Sequence, residues 1–218
     1  MKYRNLIWLC ALALTGLLAG CEKDPYTHAV IETDYGDIEV ILYNTTPRHR
    51  DNFIKLAKEG FYDSLLFHRV MPEFMIQGGD PDSKYAPPGQ VLGMGGPGYT
   101  LEPEIGAPHI RGALAAARMP DQVNPEKRSS GSQFYIVVGR KWSDAELDAI
   151  EQQNNIKYNA TQRQLYKEKG GAPFLDGNYT VFGEVVRGMD VVDHIASVPR
   201  DKANRPLQDI RIKRVRIE

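Results

Sequence analysis

Apolar and polar residues alternate in short runs along most of the chain, which is the period-two pattern of half-buried β-strands. The stretch "HAVIETDYGDIEVILY" at 28–43 holds two such runs around Asp34, Tyr35 and Gly36, which predict the turn of a hairpin. Further apolar runs are separated by loops rich in Gly, Pro and Asp, and they lie at 65–70, 74–78, 112–117, 133–138, 179–186 and 209–217. The pattern therefore predicts a mainly β protein with eight strands.

The last of these runs changes its parity partway along. Ile210 and Ile212 share one face of a strand, whereas Val215 and Ile217 share the other. One extra residue near Lys213–Arg214 would account for the change, and such a β-bulge bends the strand that carries it. A barrel that closes on itself requires such bent strands, so the bulge favours a closed barrel.

Two short segments have the period of an amphipathic helix. The first starts at Thr46–Pro47, a capping residue followed by the residue favoured at the first helical position, and stops at Gly60. The second lies between the last two strands, where apolar residues recur at Met189, Val192 and Ile195. We expect these two helices to cap the barrel.

The segment from about 140 to 173 has a different character. Its stretches "WSDAELDAIEQQ" and "TQRQLYKEKG" favour helix but offer only a thin apolar face. It is predicted to be a helical surface insertion. The weight of polar side chains favours a solvated helix pair packed on the barrel over a dedicated partner site, and both interpretations stay open.

The first residues of the chain have the pattern of an export signal. Lys2 and Arg4 precede an apolar run that is shorter than the ~20 residues of a membrane span and ends in "LAGC" at Cys21. The segment resembles a bacterial lipoprotein signal, in which that cysteine is lipidated. We therefore expect a lipid anchor in the bacterial cell envelope, on the periplasmic face or the outer membrane, and a chain divided into a signal peptide at 1–20, a tether at 21–27 and one domain at 28–218.

Composition narrows the function classes. Removal of the signal takes away Cys10 and leaves Cys21 as the single thiol, so no internal disulfide is expected. The 27 Lys and Arg residues nearly balance the 28 Asp and Glu residues, which gives no indication of a nucleic-acid partner. We expect a monomer.

Several familiar sites are not supported. The glycines of "GMGGPG" at 93–98 are followed by no helix that could hold a pyrophosphate, and Ser132 lacks the flanking glycines of a nucleophile elbow. The histidines are scattered without ligand spacing and are interpreted as surface or hydrogen-bonded structural residues, at His28, His49, His68, His109 and His194. No metal and no cofactor are expected.

Four blocks carry a family resemblance. They are "FHRVMPEFMIQGGD" at 67–80, "GALAAAR" at 112–118, "GSQFYIVV" at 131–138 and "FLDGNYTVFGEVV" at 174–186. In order and rough spacing the chain resembles the cyclophilin family of peptidyl-prolyl cis-trans isomerases, from residue 28 to 218 apart from the insertion. The resemblance implies an eight-stranded antiparallel barrel with a helix over each end, and proline-containing polypeptides as substrates.

Matched position by position, the resemblance implies Arg69 as the catalytic residue. It implies a substrate-binding set of Phe74, Met75, Gln77, Ala117, Arg118, Tyr135, Phe174, Leu175 and Tyr179. Family members often have asparagine at the position of Arg118 and phenylalanine at that of Tyr135, while the best-known eukaryotic members have tryptophan at Phe174 and histidine at Tyr179. The hydroxyl of Tyr135 must find a hydrogen-bond partner or stay in contact with water.

The reaction explains why these residue types suffice. An X–Pro bond rotates slowly because amide resonance sets a barrier of ~18–20 kcal/mol, although its isomers differ by only ~0.5–1 kcal/mol. As the bond twists, the proline nitrogen regains a lone pair that a fixed guanidinium can stabilise. Arg69 would supply that guanidinium, while an apolar pocket holds the proline ring and Gln77 holds the neighbouring peptide.

The sequence thus predicts an isomerase that accelerates X–Pro rotation in exported or envelope proteins during folding. The alternative is a cyclophilin-like protein-binding module with little or no turnover, because Arg118, Tyr135 and Tyr179 alter the groove. Retention of Arg69 favours the enzyme. Since the insertion runs directly into Phe174, we also hypothesise that it borders the groove and screens substrates.

Overall fold

A computed structural model describes residues 24–218, so the expected signal peptide and the lipidation at Cys21 lie outside the described residues. The described chain contains ten strands and four α-helices. The strands are β1 (Thr27–Thr33), β2 (Gly36–Leu42), β3 (Arg69–Met71), β4 (Met75–Gly78), β5 (Thr100–Leu101), β6 (Ala113–Ala116), β7 (Ser129–Ser130), β8 (Phe134–Val137), β9 (Val181–Arg187) and β10 (Ile212–Ile217). The helices are α1 (Pro47–Lys58), α2 (Asp144–Asn154), α3 (Ala160–Glu168) and α4 (Met189–Ser197).

Eight of these strands form one antiparallel sheet, in the order β10-β1-β2-β9-β6-β8-β4-β3. They are the eight runs that the alternation predicted, and β5 and β7 form a separate ribbon that it did not predict. The β-bulge is confirmed. Glu32 pairs with Arg214 and Thr33 with Ile212, so Lys213 is the extra residue.

The sheet curls into a half-barrel, and the closed barrel that we expected is not confirmed. Its edge strands β3 and β10 form no ladder with each other within residues 24–218. The physical reason is that the run at 65–70 enters the sheet only at Arg69, which leaves β3 three residues long. Across this edge the chain makes an isolated bridge between Leu66 and Arg211, and the Phe67 amide donates to the Ile210 carbonyl at 2.9 Å.

The hydrophobic core lies between the sheet and the two predicted helices, α1 and α4. Phe53 and Leu56 of α1 are buried, as are Val192 and Ile195 of α4, and all four belong to the same apolar cluster. Their spacing is the one from which the helices were predicted, because an amphipathic helix is stabilised mainly by burying that face. Within residues 24–218, no helix combines the length and the apolar character needed to cross a membrane.

The segment 140–173 contains α2 and α3. Each helix begins with a capping box, formed by Ser143 with Glu146 and by Asn159 with Gln162. The thin apolar face is partly buried, since Leu147 and Ile150 are covered whereas Trp142 and Leu165 keep some exposure. The two helices pack against each other, α2 also packs on the turn at Pro173–Leu175, and Gly171 ties the segment to Ile110 through an isolated bridge.

Candidate active site

Strand register brings the central polar residues of the site side by side. Arg69 of β3 pairs directly with Gln77 of β4, and Gln77 in turn pairs with Tyr135 of β8. Directly opposed residues of an antiparallel pair point to the same face. The Arg69 Nη1 atom donates to Gln77 Oε1 at 3.2 Å. The three side chains therefore form a row across the sheet.

This row lies in a small cavity of about 110 Å³. All of its lining residues belong to the predicted site, and they are Arg69, Phe74, Met75, Gln77, Ala117, Arg118, Tyr135, Leu175 and Tyr179. Phe174 does not line it. Its side chain is 39% exposed and packs on the outer side of Phe74, with the ring centroids 5.4 Å apart.

Arg69 has no ion-pair partner among the residues that the structure describes. Besides Gln77, its guanidinium contacts the Met71 sulfur at 3.3 Å and lies 5.5 Å from the Phe74 ring centroid. Burial lowers the pKa of Arg69 from its usual value, but arginine starts so high that it stays protonated at neutral pH. Its positive charge is thus fixed in place without being neutralised.

The amide of Gln77 is oriented by a second amide. Gln77 Nε2 donates to Gln133 Oε1 at 3.0 Å, and Gln133 Nε2 donates to the Gly95 carbonyl at 2.7 Å. Because Gln133 holds the Nε2 end of the Gln77 amide, the Oε1 end faces Arg69. Sequence reasoning missed Gln133, although it stands in the quoted block "GSQFYIVV".

The hydroxyl of Tyr135 has a buried partner. It lies 2.9 Å from Nε2 of His109, a fully buried side chain. His109 is therefore a hydrogen-bonded structural histidine, which is one of the two roles expected for it. Its place behind the pocket could not be predicted, because 26 positions separate the two residues along the chain.

Arg118 and Tyr179 form the rim of the cavity. The Arg118 guanidinium lies 4.5 Å from the centroid of the Tyr179 ring and forms an ion pair with Asp121 at 2.6 Å. Its Nε also donates to the Asn178 carbonyl at 2.8 Å. Because the positive charge of Arg118 is already paired with Asp121 and stacked on Tyr179, Arg118 serves as part of the wall rather than as a second cation facing the cavity.

Ala117 contributes backbone at the same rim. Its amide donates to the Gln133 carbonyl at 3.0 Å, and its carbonyl accepts from the Ser130 amide at 2.8 Å. A carbonyl oxygen has two lone pairs, so the Ala117 carbonyl can accept one further hydrogen bond. That position is where the backbone of a bound peptide could attach.

A larger cavity of about 560 Å³ adjoins the first and shares Gln77, Ala117 and Arg118 with it. Its wall includes exposed apolar side chains, with Met94 74% and Val123 68% exposed. Through these shared residues the two cavities form one continuous groove. Within residues 24–218, no group of three His, Cys, Asp or Glu side chains is arranged to hold a metal ion.

The chain resembles known proteins in family, in sequence and in fold. The family model described as cyclophilin type peptidyl-prolyl cis-trans isomerase/CLD matches residues 28–217. A Staphylococcus aureus (strain COL) protein named provisionally as a peptidyl-prolyl cis-trans isomerase is 34% identical over 195 residues, which cover 87% of this chain and 90% of that protein.

A Streptococcus pyogenes protein named provisionally as a bifunctional phosphatase/peptidyl-prolyl cis-trans isomerase is 36% identical over 197 residues. The match covers 86% of this chain but 38% of that longer protein.

The fold also resembles a solved structure. A Cryptosporidium parvum cyclophilin type peptidyl-prolyl cis-trans isomerase superposes with a TM-score of 0.65 at 26% identity, and the match covers 88% of this chain and 98% of that one. The same protein in the presence of the dipeptide Ala-Pro gives a TM-score of 0.63. With the family model matched over nearly the whole described chain, this protein belongs to the cyclophilin-type peptidyl-prolyl cis-trans isomerases.

Proposed function

We propose that this cyclophilin-type isomerase accelerates X–Pro bond rotation in exported or envelope proteins while they fold. The observation that carries the chemical part is the charge of Arg69, unpaired within residues 24–218, at a small cavity whose wall combines apolar and polar side chains. A fixed cation in a partly buried site stabilises charge that develops only in the twisted amide, and such differential stabilisation lowers a barrier.

Each part of the cavity has a place in this reaction. Met75 and Leu175, with the ring of Tyr135, supply apolar surface for the proline ring. Gln77 and the Ala117 carbonyl hold the neighbouring peptide, so one side of the amide rotates while the other is held. The reaction needs no covalent bond to the enzyme, because only amide resonance has to be broken.

Proline-containing polypeptides are the proposed substrates. The C. parvum cyclophilin studied with Ala-Pro supports this class, because that dipeptide contains the bond in question. The adjoining 560 Å³ cavity would take side chains that flank the proline. The enzyme is proposed to act as a monomer.

The proposed location is the bacterial cell envelope, with a lipid on Cys21 as the anchor. The support comes from the sequence alone: a cationic start, a short apolar run and "LAGC" before a polar tether. Export delivers unfolded chains whose X–Pro bonds are mixed in isomer and relax over tens of seconds. An isomerase held at the membrane would meet such chains early.

The test compares the parent with Arg69→Ala in a protease-coupled or NMR exchange assay on an Ala-Pro peptide, using the full chain in mild detergent. We expect Arg69→Ala to lose about 10²–10³-fold in kcat/KM, the usual cost of removing one preorganised charge donor. Arg48→Ala is the matched control, because Arg48 is exposed on α1 and lines neither cavity.

Two outcomes would contradict the proposal. If the folded parent does not accelerate exchange, the groove is a protein-binding site without useful turnover. If the parent is active and Arg69→Ala is equally active, the catalytic role of Arg69 is wrong. Unchanged activity in Arg48→Ala shows that loss of an arginine is not harmful in itself.

A further inference from the structure

Behind the proline cavity, a chain of buried hydrogen bonds leads from Tyr135 into the insertion. Tyr135 contacts His109 Nε2 at 2.9 Å, and His109 Nδ1 lies 2.7 Å from Asp176 Oδ1. The other oxygen of Asp176 accepts from the hydroxyl of Tyr158 at 2.8 Å and from that of Tyr166 in α3. Tyr135 in the wall of the cavity is thereby joined to Tyr166 of α3 through two buried side chains, His109 and Asp176.

The chemistry of these groups sets the direction of each hydrogen bond. The Asp176 carboxylate can only accept, so His109 Nδ1 carries the proton that faces it, and Nε2 accepts from the Tyr135 hydroxyl. Burial, with the nearby Asp176 charge as a further cause, raises the pKa of Tyr158 and Tyr166 above the usual tyrosine value. Both therefore remain donors. With the backbone amide of His109 at 2.8 Å, Asp176 accepts four hydrogen bonds.

The insertion is also fastened to the backbone on both sides of this network. Gly171, where the insertion ends, bridges both Ile110 and Arg140. The indole of Trp142 donates to the Gly171 carbonyl at 2.9 Å. The same indole packs against Phe174, with the ring centroids 6.1 Å apart. The insertion thus reaches the wall of the proline cavity both through polar contacts and through packing.

We propose that the insertion fixes the geometry of the proline cavity, with His109 as a positioning residue that acts through Tyr135. Loss of a hydroxyl from α3 loosens Asp176, then the ring of His109, and then the ring of Tyr135 that faces the substrate. Buried networks of this kind are rigid only when every member is satisfied. A small displacement of a substrate-positioning group is enough to slow a reaction.

This inference rests on the proposed function, because its readout is the rate of X–Pro rotation. The experiment measures kcat/KM and the melting temperature of the full chain for Tyr166→Phe in the parent and in a Tyr135→Phe background. In the parent we expect Tyr166→Phe to lower kcat/KM about three- to tenfold, a part of what one hydrogen bond to a buried charge contributes. In the Tyr135→Phe background the link to the cavity is already broken, so the further loss should be less than about twofold.

Tyr158→Phe is the second variant, since Tyr158 is less buried than Tyr166 and donates to the same oxygen. It should show the same dependence on Tyr135. Tyr35→Phe is the matched control, because Tyr35 packs against His194, outside both cavities, and its change should leave kcat/KM unaltered.

A purely structural role would look different. Equal losses of kcat/KM in both backgrounds, or a lower melting temperature with kcat/KM unchanged, would overturn the inference. Failure of the proposed function is recognised separately, because then the folded parent itself would not accelerate X–Pro exchange above the uncatalysed rate.

Discussion

The Arg69 guanidinium donates to one amide oxygen and contacts the thioether sulfur of Met71. A thioether is a weak acceptor, so exchanging it for a lone pair on a substrate nitrogen costs little. A carboxylate in its place would neutralise the charge and compete with the substrate. At the scale of single residues, the soft surroundings of Arg69 are what keep its charge available.

His68, which precedes Arg69 in the sequence, makes the free energy of unfolding depend on pH in a way that can be tested. Burial lowers the pKa of His68 to about 4, so this side chain is neutral in the folded protein at physiological pH. In the unfolded chain a histidine binds its proton below about pH 6.5. Between these values the unfolded state binds more protons, and the free energy of unfolding therefore falls as the pH falls, by up to about 3 kcal/mol from His68.

The measurement is the free energy of unfolding, or the melting temperature, between pH 7 and 4.5. His68→Gln should show a smaller decline with falling pH than the parent does. Some decline in the stability of His68→Gln should remain, because burial also lowers the pKa of His49 and this acts in the same direction. If stability falls with pH equally in the parent and in His68→Gln, burial does not lower the pKa of His68 in the way described.

At the scale of elements, register decides which side chains form the site. Gln77 and Tyr135 are paired across β4 and β8, and so are their neighbours Ile76 and Ile136. The isoleucines are fully buried in the main core. A slip of one residue would put the isoleucines in the groove and the glutamine in the core, so burial of the core fixes the geometry of the site.

The end of the insertion depends on a close backbone approach at Gly171. Its φ is +152°, and a Cβ there would overlap the His109 carbonyl oxygen and the Tyr166 ring. We expect Gly171→Ala to lower the free energy of unfolding by about 2 kcal/mol or more, because neither the backbone nor the buried ring can easily move. Chemical denaturation measures the change.

Gly106→Ala is the matched control, since a Cβ at Gly106 meets nothing within 4 Å. It should change stability by less than about 0.5 kcal/mol, as surface substitutions usually do. Equal effects of the two substitutions would show that the close approach at Gly171 does not matter for stability.

At the scale of the whole molecule, the proposed anchor lies close to the folded domain. The first strand begins at Thr27, so the tether at 21–27 spans at most roughly 25 Å even when fully extended. A lipid on Cys21 would hold the groove near the membrane surface and restrict it to chains that pass there.

Replacement of that cysteine tests the anchor. Cys21→Ala should move the protein from the membrane fraction to the soluble fraction while kcat/KM on a peptide stays the same, because Cys21 is far in sequence from the groove residues. Cys10→Ala is the matched control and should remain in the membrane fraction, since it changes only the signal. A released Cys21→Ala protein that folds normally but is inactive would contradict the tether.

Much of this protein could be predicted from its sequence. The alternation of apolar residues predicted the eight strands, and the parity change at Ile212 and Val215 predicted the bulge now seen at Lys213. These features are local, because strand and helix periods depend only on neighbours along the chain. The residues around Arg69 were recognisable because they stand in contiguous blocks, and the cavity brings nearly all of them together.

Only the tertiary structure decided the rest. The short strand β3 leaves the sheet a half-barrel, because pairing at its edge depends on where the chain turns between Leu66 and Arg69. The bond between His109 and Asp176 joins residues 67 positions apart, and no local period reports such a contact. The sequence by itself determined the strands and the chemistry of the groove, whereas folding decided what stands behind the groove, because hydrogen bonds between distant residues exist only once the layers have packed.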